Sequence, residues 1–531
     1  MKTTLMKFLA VCLMAGFTPG YVPETGAQEI SDQRPILLIK IPDIEKLLYE
    51  AQSLMPSTQG SNVQNQIMGI RMALFGTEWI DPERSIVAGL AMQDGKNSMV
   101  VLVPFRQPNP DFQKSYNAVA GIDYYIAAMP PQPQVSVSPA VENSLVQASL
   151  TPAAGSLVLE AAVARLLEMV EAQIAPALGK MEESQPDGTL PSEFSPQDVR
   201  AIIDAMLAIV KQADIVRFGI DISEDVFTLL MDIESLPDTI LASILRDTGG
   251  ETRLMDYPIE TAIQYHTRAY NVSGTIDLVG SYLDTIYSQL GLDINIDEMA
   301  KMTECFTGEM AGGINITSDG FAMEFIAVLQ PGIDGEIFIR DSYLPWLERY
   351  GKSISELATE QADEPQIMMF ERTPDSRVAG VKVMGVKTNI VTPNSKGGNP
   401  FDNLVLEMRM AAIDDLLFIA SDDAKIEEFI NGTRSLVRSP ASGPTGRFTL
   451  DLSALLRDIQ SLLPTEQSSV ALPDNIGKIS SQFEMGNGTL RTRTSFNTEG
   501  LAKLISVFGA MVTQQNQNQT EGTSADITEA R

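Results

Sequence analysis

Two distant stretches of the chain carry the same pattern of apolar and polar positions. Ile39–Gln59, IKIPDIEKLLYEAQSLMPSTQ, and Arg447–Gln467, RFTLDLSALLRDIQSLLPTEQ, each start with a short apolar alternation and pass through an Asp. Apolar residues at helical spacing then run up to a proline. Overlaid without gaps, the two share Asp43/Asp451, Leu47/Leu455, Leu48/Leu456, Gln52/Gln460, Ser53/Ser461, Leu54/Leu462, Pro56/Pro464 and Gln59/Gln467. Ile44, Leu47, Leu48 and Ala51 recur at the interval that lines one helix face. An Asp just ahead of such a face accepts hydrogen bonds from the free N–H groups of the first turn. The pattern therefore predicts a strand followed by a capped helix, used at least twice.

Looser copies are read at Leu157–Leu159 with Val163–Ile174, at Val272–Leu290 around Asp277, and at Glu336–Tyr350. Hairpins are expected after them: Ser85–Phe105 around Asp94-Gly95, Val216–Ile222 with Val226–Ile233, and Ala311–Leu329 around Ser318-Asp319-Gly320. Arg377–Met384 is expected to pair with Asn403–Met410 across a long loop, and a last hairpin turns at Asn487-Gly488. Further helices are predicted over Val63–Phe75, Ser138–Ala148, Ser195–Lys211, Pro237–Leu245, Ile296–Phe306, Asp422–Ile430 and Glu499–Met511. In the second and third of these, Ser precedes Pro, a capping residue followed by the one residue that lacks an N–H. The strands Ile122–Ala128 and Ile413–Ala420, each leading into a helix, are read as counterparts. Val87-Ala88-Gly89-Leu90 and Val378-Ala379-Gly380-Val381 are read as the starts of corresponding hairpins. A glycine within a strand points to a helix crossing the sheet there.

One strand-helix-hairpin unit leaves an apolar sheet face and an apolar helix stripe exposed, so such units must stack. The expected fold class is α+β: repeated units forming mostly antiparallel sheet covered by helices, in two tandem halves. The expected division is a signal peptide at 1–27, a first half at 28–260, a second half at 261–512 and a disordered polar tail at 513–531.

Composition narrows the function. The 531 residues carry a formal net charge of −31, which repels phosphate backbones and argues against nucleic-acid binding. The apolar share of 44% suits a folded globular chain. Lys2 and Lys7, the apolar run Phe8–Phe17, and Thr25-Gly26-Ala27 have the form of a secretory signal cut after Ala27. Cys12 makes a poor lipoprotein site, because Val11 stands where a small residue is needed. No later segment has the length and apolarity of a membrane helix. Cleavage would leave Cys305 alone, without a disulfide, which suits a bacterial periplasm or exterior.

Candidate chemistry is sparse. His266 is the sole histidine, which excludes two-histidine metal motifs. Cys305 lies among Met299, Met302 and Phe306, and Glu304 beside it discourages a thiolate. Asp293, Asn295, Asp297 and Glu304 match part of a calcium loop, but Glu298 occupies the place of the turn glycine. Asp247-Thr248-Gly249 resembles half of an aspartic-protease pair, with no second copy in the chain. Asp414-Asp415 and Asp422-Asp423 are paired carboxylates read as turn and cap residues. On this reading no residue is assigned as catalytic, cofactor-binding or metal-binding, and no cofactor is expected. The expected function is an exported, non-enzymatic envelope protein that binds or scaffolds a protein partner. The alternatives are a carrier of an apolar ligand or lipid between sheet and helices, for which 25 methionines are suited, and a carboxylate-dependent hydrolase. Intact-mass measurement of the protein exported by its own cell should find Gln28 as the first residue; a mass retaining Met1–Ala27 would exclude the predicted cleavage.

Overall fold

The chain first pairs outward from its own start. The computed structural model describes residues 35–503 apart from 54–67, 94–95, 130–136, 152–154, 169–195, 224, 247–249, 290–293, 318–319, 362–366, 392–403, 434–435, 437, 441–442, 463–475 and 501–502. Strand β1 (Leu37–Ile41) leads into α1 (Ile44–Ser53), then β2 (Ile86–Gln93) and β3 (Lys96–Pro104). Next come α2 (Pro110–Tyr116), β4 (Val119–Ala120), β5 (Tyr124–Met129), α3 (Pro139–Leu150) and β6 (Leu157–Ala162). They are followed by α4 (Pro196–Val210), β7 (Ala213–Ile222), β8 (Val226–Ser235) and α5 (Ile240–Ile244). The chain continues through β9 (Glu251–Thr252), β10 (Ile263–Thr267), α6 (Val272–Gln289), α7 (Ile296–Thr303), β11 (Phe306–Thr317) and β12 (Gly320–Leu329). Helix α8 (Gly335–Phe338) passes through a π-turn (Ile339–Tyr343) into α9 (Leu344–Gln361). The remainder is β13 (Ile367–Val378), β14 (Val381–Val391), β15 (Leu404–Ile413), β16 (Leu416–Ala420), α10 (Asp423–Thr433), β17 (Ser439–Pro440), β18 (Gly446–Asp451), α11 (Leu452–Leu462), β19 (Lys478–Gly486) and β20 (Thr489–Asn497).

Among the described residues, eighteen of these strands form one sheet, and β9 and β17 pair separately. The pairings give the spatial order β4-β5-β3-β2-β1-β6-β7-β8-β20-β19-β18-β10-β11-β12-β16-β15-β14-β13. All these ladders are antiparallel; the one parallel contact is Gly320 beside Val405. The architecture is thus mixed α and β around a large antiparallel sheet, as the sequence implied.

Local chemistry accounts for many element ends. The N–H of Lys46 donates to Asp43 Oδ1 at 2.9 Å, and the N–H of Ala454 donates to Asp451 Oδ1 at 3.0 Å, so the two matched stretches end their strands and begin their helices alike. Ser138 accepts from the N–H of Val141 ahead of Pro139 at the start of α3, as predicted. Asn487 and Gly488, with φ of 52° and 75°, form the tight β19–β20 turn. Gly89 sits in mid-β2, where a Cβ would stand 2.9 Å from Leu145 Cδ2 on α3; a helix does cross the sheet there.

Other expectations are corrected. Val272–Leu290 is not a strand and helix, because α6 runs unbroken over Val272–Gln289 and the strand lies earlier, at β10. Its apolar residues Val272, Ile276, Val279, Leu283 and Ile286 keep helical spacing throughout. Glu336–Tyr350 is likewise helical, with Asp334 accepting from the N–H of Ile337 as cap. Val378-Ala379-Gly380-Val381 does not correspond to Val87–Leu90. Ala379 and Gly380 have φ of 49° and 87° and make the tight turn between β13 and β14, so Arg377–Met384 is no single strand. Asp414, with φ of 51°, similarly breaks Ile413–Ala420 into the end of β15 and the whole of β16. The expected leader at 1–27, most of Glu499–Met511 and the tail at 513–531 lie outside the described residues.

Helices cover both faces toward the two ends of the sheet. Ile44, Leu47 and Leu48 of α1, with Trp79 and Phe112, pack on Ile39, Ile86, Val103 and Tyr125. On the opposite face Val141, Leu145 and Ala148 of α3 cover Leu38, Val87, Leu102 and Ile126. At the far end Ile426, Phe429 and Ile430 of α10 cover Ala311, Ile326 and Phe418. The other face there receives Met302 of α7, Phe338, Ile339 of the π-turn, and Leu344 and Leu347 of α9. Each such buried side chain contributes about 1.5–3 kcal/mol. Gly89→Val should lower unfolding free energy by roughly 1–3 kcal/mol, because the added methyls have no room between β2 and α3; urea denaturation with an unchanged midpoint would show that this contact is loose.

Candidate functional site

The residues singled out by sequence are scattered and mostly occupied. His266 lies half-buried on β10, with Nε2 2.8 Å from the Tyr257 carbonyl, and burial pushes its imidazole below the usual value. Cys305 joins α7 to β11 with Sγ 3.8 Å from the Lys301 carbonyl; burial, then Glu304, pushes its thiol up, against a nucleophilic role. Asn295 caps α7, accepting from the N–H of Glu298 at 3.0 Å, and Asp297 and Glu298 occupy the first turn. Asp293 and Asp247-Thr248-Gly249 lie outside the described residues. Among the described residues no group of three His, Cys, Asp or Glu side chains is placed to hold a metal ion.

The paired carboxylates have structural work. Asp415 lies 2.7 Å from Arg253 Nη2 and 2.8 Å from Arg438 Nη2. Burial opposes its charge, but the arginines outweigh that and hold its carboxyl below the usual range. Asp422 caps α10 through the N–H of Lys425. Asp423 receives Arg409 Nε at 2.7 Å and the Ser376 hydroxyl at 2.8 Å, while Arg409 also donates to Thr373. Arg409 is buried, so this network neutralises a cation inside the fold.

The two faces of the sheet's middle differ sharply. On one face, cross-strand neighbours Glu160, Arg217, Asp232, Arg491 and Glu484 alternate in sign from β6 to β19. Glu160 pairs with Arg217 at 2.8 Å and lies 3.8 Å from Lys40, and Arg217 also bonds Glu234. The other face is apolar. One cross-strand row there reads Ile220, Leu229, Thr494, Ser481, Phe448, Tyr265, Gly312 and Phe325. Phe218 is 50% exposed on this side, and Leu229, Ile314 and Phe448 are 37–40% exposed. These large apolar side chains are the part of the face that α4, α5 and α6 leave uncovered.

The row ends in an aromatic group. Tyr265 leans across Gly312, where a Cβ would stand 2.8 Å from its Oη, and its ring centroid lies 6.3 Å from Phe325. Above these strands, Phe338, Tyr343, Trp346 and Tyr350 stack in series, with centroids 6.0, 6.1 and 5.2 Å apart. The π-turn sets this line. Pro345 has no N–H to bond the Asp341 carbonyl, and the N–H of Leu344 reaches back five residues to Ile339. Burial pushes the Tyr343 hydroxyl up to about 12 and raises Tyr265 further, with Tyr343 as its second cause. Both phenols therefore stay protonated donors. Both residues are half-buried, and neither hydroxyl is a buried polar atom left without a partner. The sequence reading missed this group, although Tyr343, Trp346 and Tyr350 recur at helical spacing around an internal proline.

No family model, curated protein or solved structure matches the chain.

Acid should act through Asp423. Its pKa lies below the usual 3.8 because Arg409 stabilises the carboxylate, so its contribution to stability is complete above that value and falls away as pH drops through the lower, folded value. Asp423→Asn should therefore flatten the loss of melting temperature below about pH 4; an acid limb as steep as in the unsubstituted protein would remove Asp423 as its source.

Proposed function

We propose that the chain is built from four copies of one packing unit. Each copy is a strand, one or more helices and a hairpin, occupying three adjacent strands: β1 with β2 and β3, β6 with β7 and β8, β10 with β11 and β12, and β18 with β19 and β20. The first two units meet through β1 and β6, the last two through β10 and β18, and the pairs join through β8 and β20. This nesting supports two tandem halves at residues 28–260 and 261–512. Helix α3 after β5 and helix α10 after β16 lie on the same side of their strands, which supports reading them as counterparts.

The protein in this reading is an exported binding or scaffolding module of a bacterial envelope, not a catalyst. The observation that carries it is the open apolar stretch of the sheet face opposite the charged row, with Phe218, Leu229, Ile314 and Phe448 exposed, set against carboxylates that are tied to arginines or helix ends. Broad hydrolase panels on the purified full chain test the non-catalytic part; a turnover abolished by replacing one carboxylate would overturn it. The same stretch favours a second reading, a carrier of an apolar ligand held between sheet and helices. Native mass spectrometry should then find a co-purifying lipophile, and a clean ligand-free mass would count against it.

A further inference from the structure

One short helix shows the solvent residues that a helix ordinarily hides. Residues 68–73 are helical, and the chain turns out of the helix at Phe75 and Gly76, both at positive φ. Ile70 and Leu74 pack it onto the core that α1 covers. Arg71 Nη2 donates to Glu45 Oε2 at 2.6 Å. The Tyr116 hydroxyl donates to the Ala73 carbonyl at 2.9 Å, and Trp79 Nε1 donates to the Leu74 carbonyl at 2.9 Å. None of these contacts uses a thioether. Met68, Met72 and Phe75 follow at intervals of four and three residues, the spacing of a second helix face, and that face points outward. Met72 is 71% exposed, Met68 61% and Phe75 43%.

Methionines of the core differ. Met302, Met384, Met408 and Met410 are buried in one apolar cluster with Phe338 and Leu344. Met206 of α4, 48% exposed, stands between the two groups. A thioether is oxidised according to its access to the oxidant, and the sulfoxide it becomes is polar. In the core that product would be a polar group without a partner, whereas on the outer face of residues 68–73 water solvates it.

We propose that Met68 and Met72 form an oxidation site, an apolar patch that peroxide converts to a polar one without unfolding the chain. The sulfur lone pair of each attacks one oxygen of hydrogen peroxide. An S–O bond forms as the O–O bond breaks, the sulfur gives up two electrons, and the proton on the attacked oxygen passes to the departing hydroxide, which leaves as water. Of the three residues on the face, Phe75 alone then stays apolar. Methionine sulfoxide reductases reverse the step. The assignment is independent of the binding and carrier readings.

The test exposes the full chain to hydrogen peroxide and follows the sulfoxide at each methionine by peptide mass spectrometry. Retention on a hydrophobic-interaction column and melting curves are recorded alongside. Met68 and Met72 should be oxidised at least about tenfold faster than Met302, Met384, Met408 and Met410. At that stage retention should fall while the melting temperature matches that of the untreated protein. The double variant Met68→Leu with Met72→Leu keeps the stripe apolar and removes both sulfurs, and leucine suits a helix as well as methionine does. The same peroxide dose should leave its retention unchanged. Equal rates at the exposed and buried methionines, a melting temperature that drops once Met68 and Met72 are oxidised, or the same loss of retention in the leucine variant overturns the proposal.

Discussion

Backbone pairing between β8 and β20 holds the sheet together. Strands from residues 37–235 lie on one side of it and strands from residues 263–497 on the other, and nine residue pairs from Val226–Asn497 to Glu234–Thr489 bridge them. Unpaired, each strand would expose a row of N–H and C=O groups on a long flat edge, the usual route to association with other chains. Helix contacts reinforce the join, since α4 packs on α6 and Leu241 of α5 lies near Leu278. The two ends of the sheet carry helices on both faces, whereas over the middle strands α4, α5 and α6 pack on one face, through Leu207, Leu241, Ile244 and Leu278 against Val216, Ile233, Phe483 and Leu490.

One-sided helix cover goes with a contrast between the two faces of the middle strands. The alternating row Glu160, Arg217, Asp232, Arg491 and Glu484 gives every charge an opposite neighbour across the ladder, which suits a surface in contact with water. The reverse face places Leu229, Phe448 and Tyr265 in one row with Thr494 and Ser481 between them. The Thr494 hydroxyl donates to Ser481 Oγ at 3.0 Å, so these two groups satisfy each other within the row. Side-chain period alone produces both faces, because neighbouring residues on a strand point oppositely.

Sequence patterning carried the elements further than their assembly. The Asp-capped starts at Asp43 and Asp451, the Ser138 cap and the Asn487-Gly488 turn were legible because each rests on contacts within a few residues. Gly89 was legible as a crossing point for a different reason, since a glycine in mid-strand implies a close neighbour, here Leu145 of α3 from a distant part of the chain. The Val-Ala-Gly match at 378–380 misled because the same three residues serve a strand in one place and a positive-φ turn in another. Glu336–Tyr350 misled because EIFI reads as a short apolar strand ahead of Asp341, yet Asp334 caps a helix that already begins at Gly335. Strand order and the meeting of Tyr265 with Phe325 were not legible. They join residues far apart in the chain, and no local pattern specifies which strands become neighbours.

The π-turn has a geometric result beyond its local hydrogen bonds. A helix is a screw thread, and one residue inserted into a turn rotates everything after it by about 100°. Were Ile339–Tyr343 wound as ordinary α-helix, the ridge bearing Trp346 and Tyr350 would swing round the axis relative to Phe338, and the ring series could not stay in line. A single extra backbone step thus aims the whole downstream ridge.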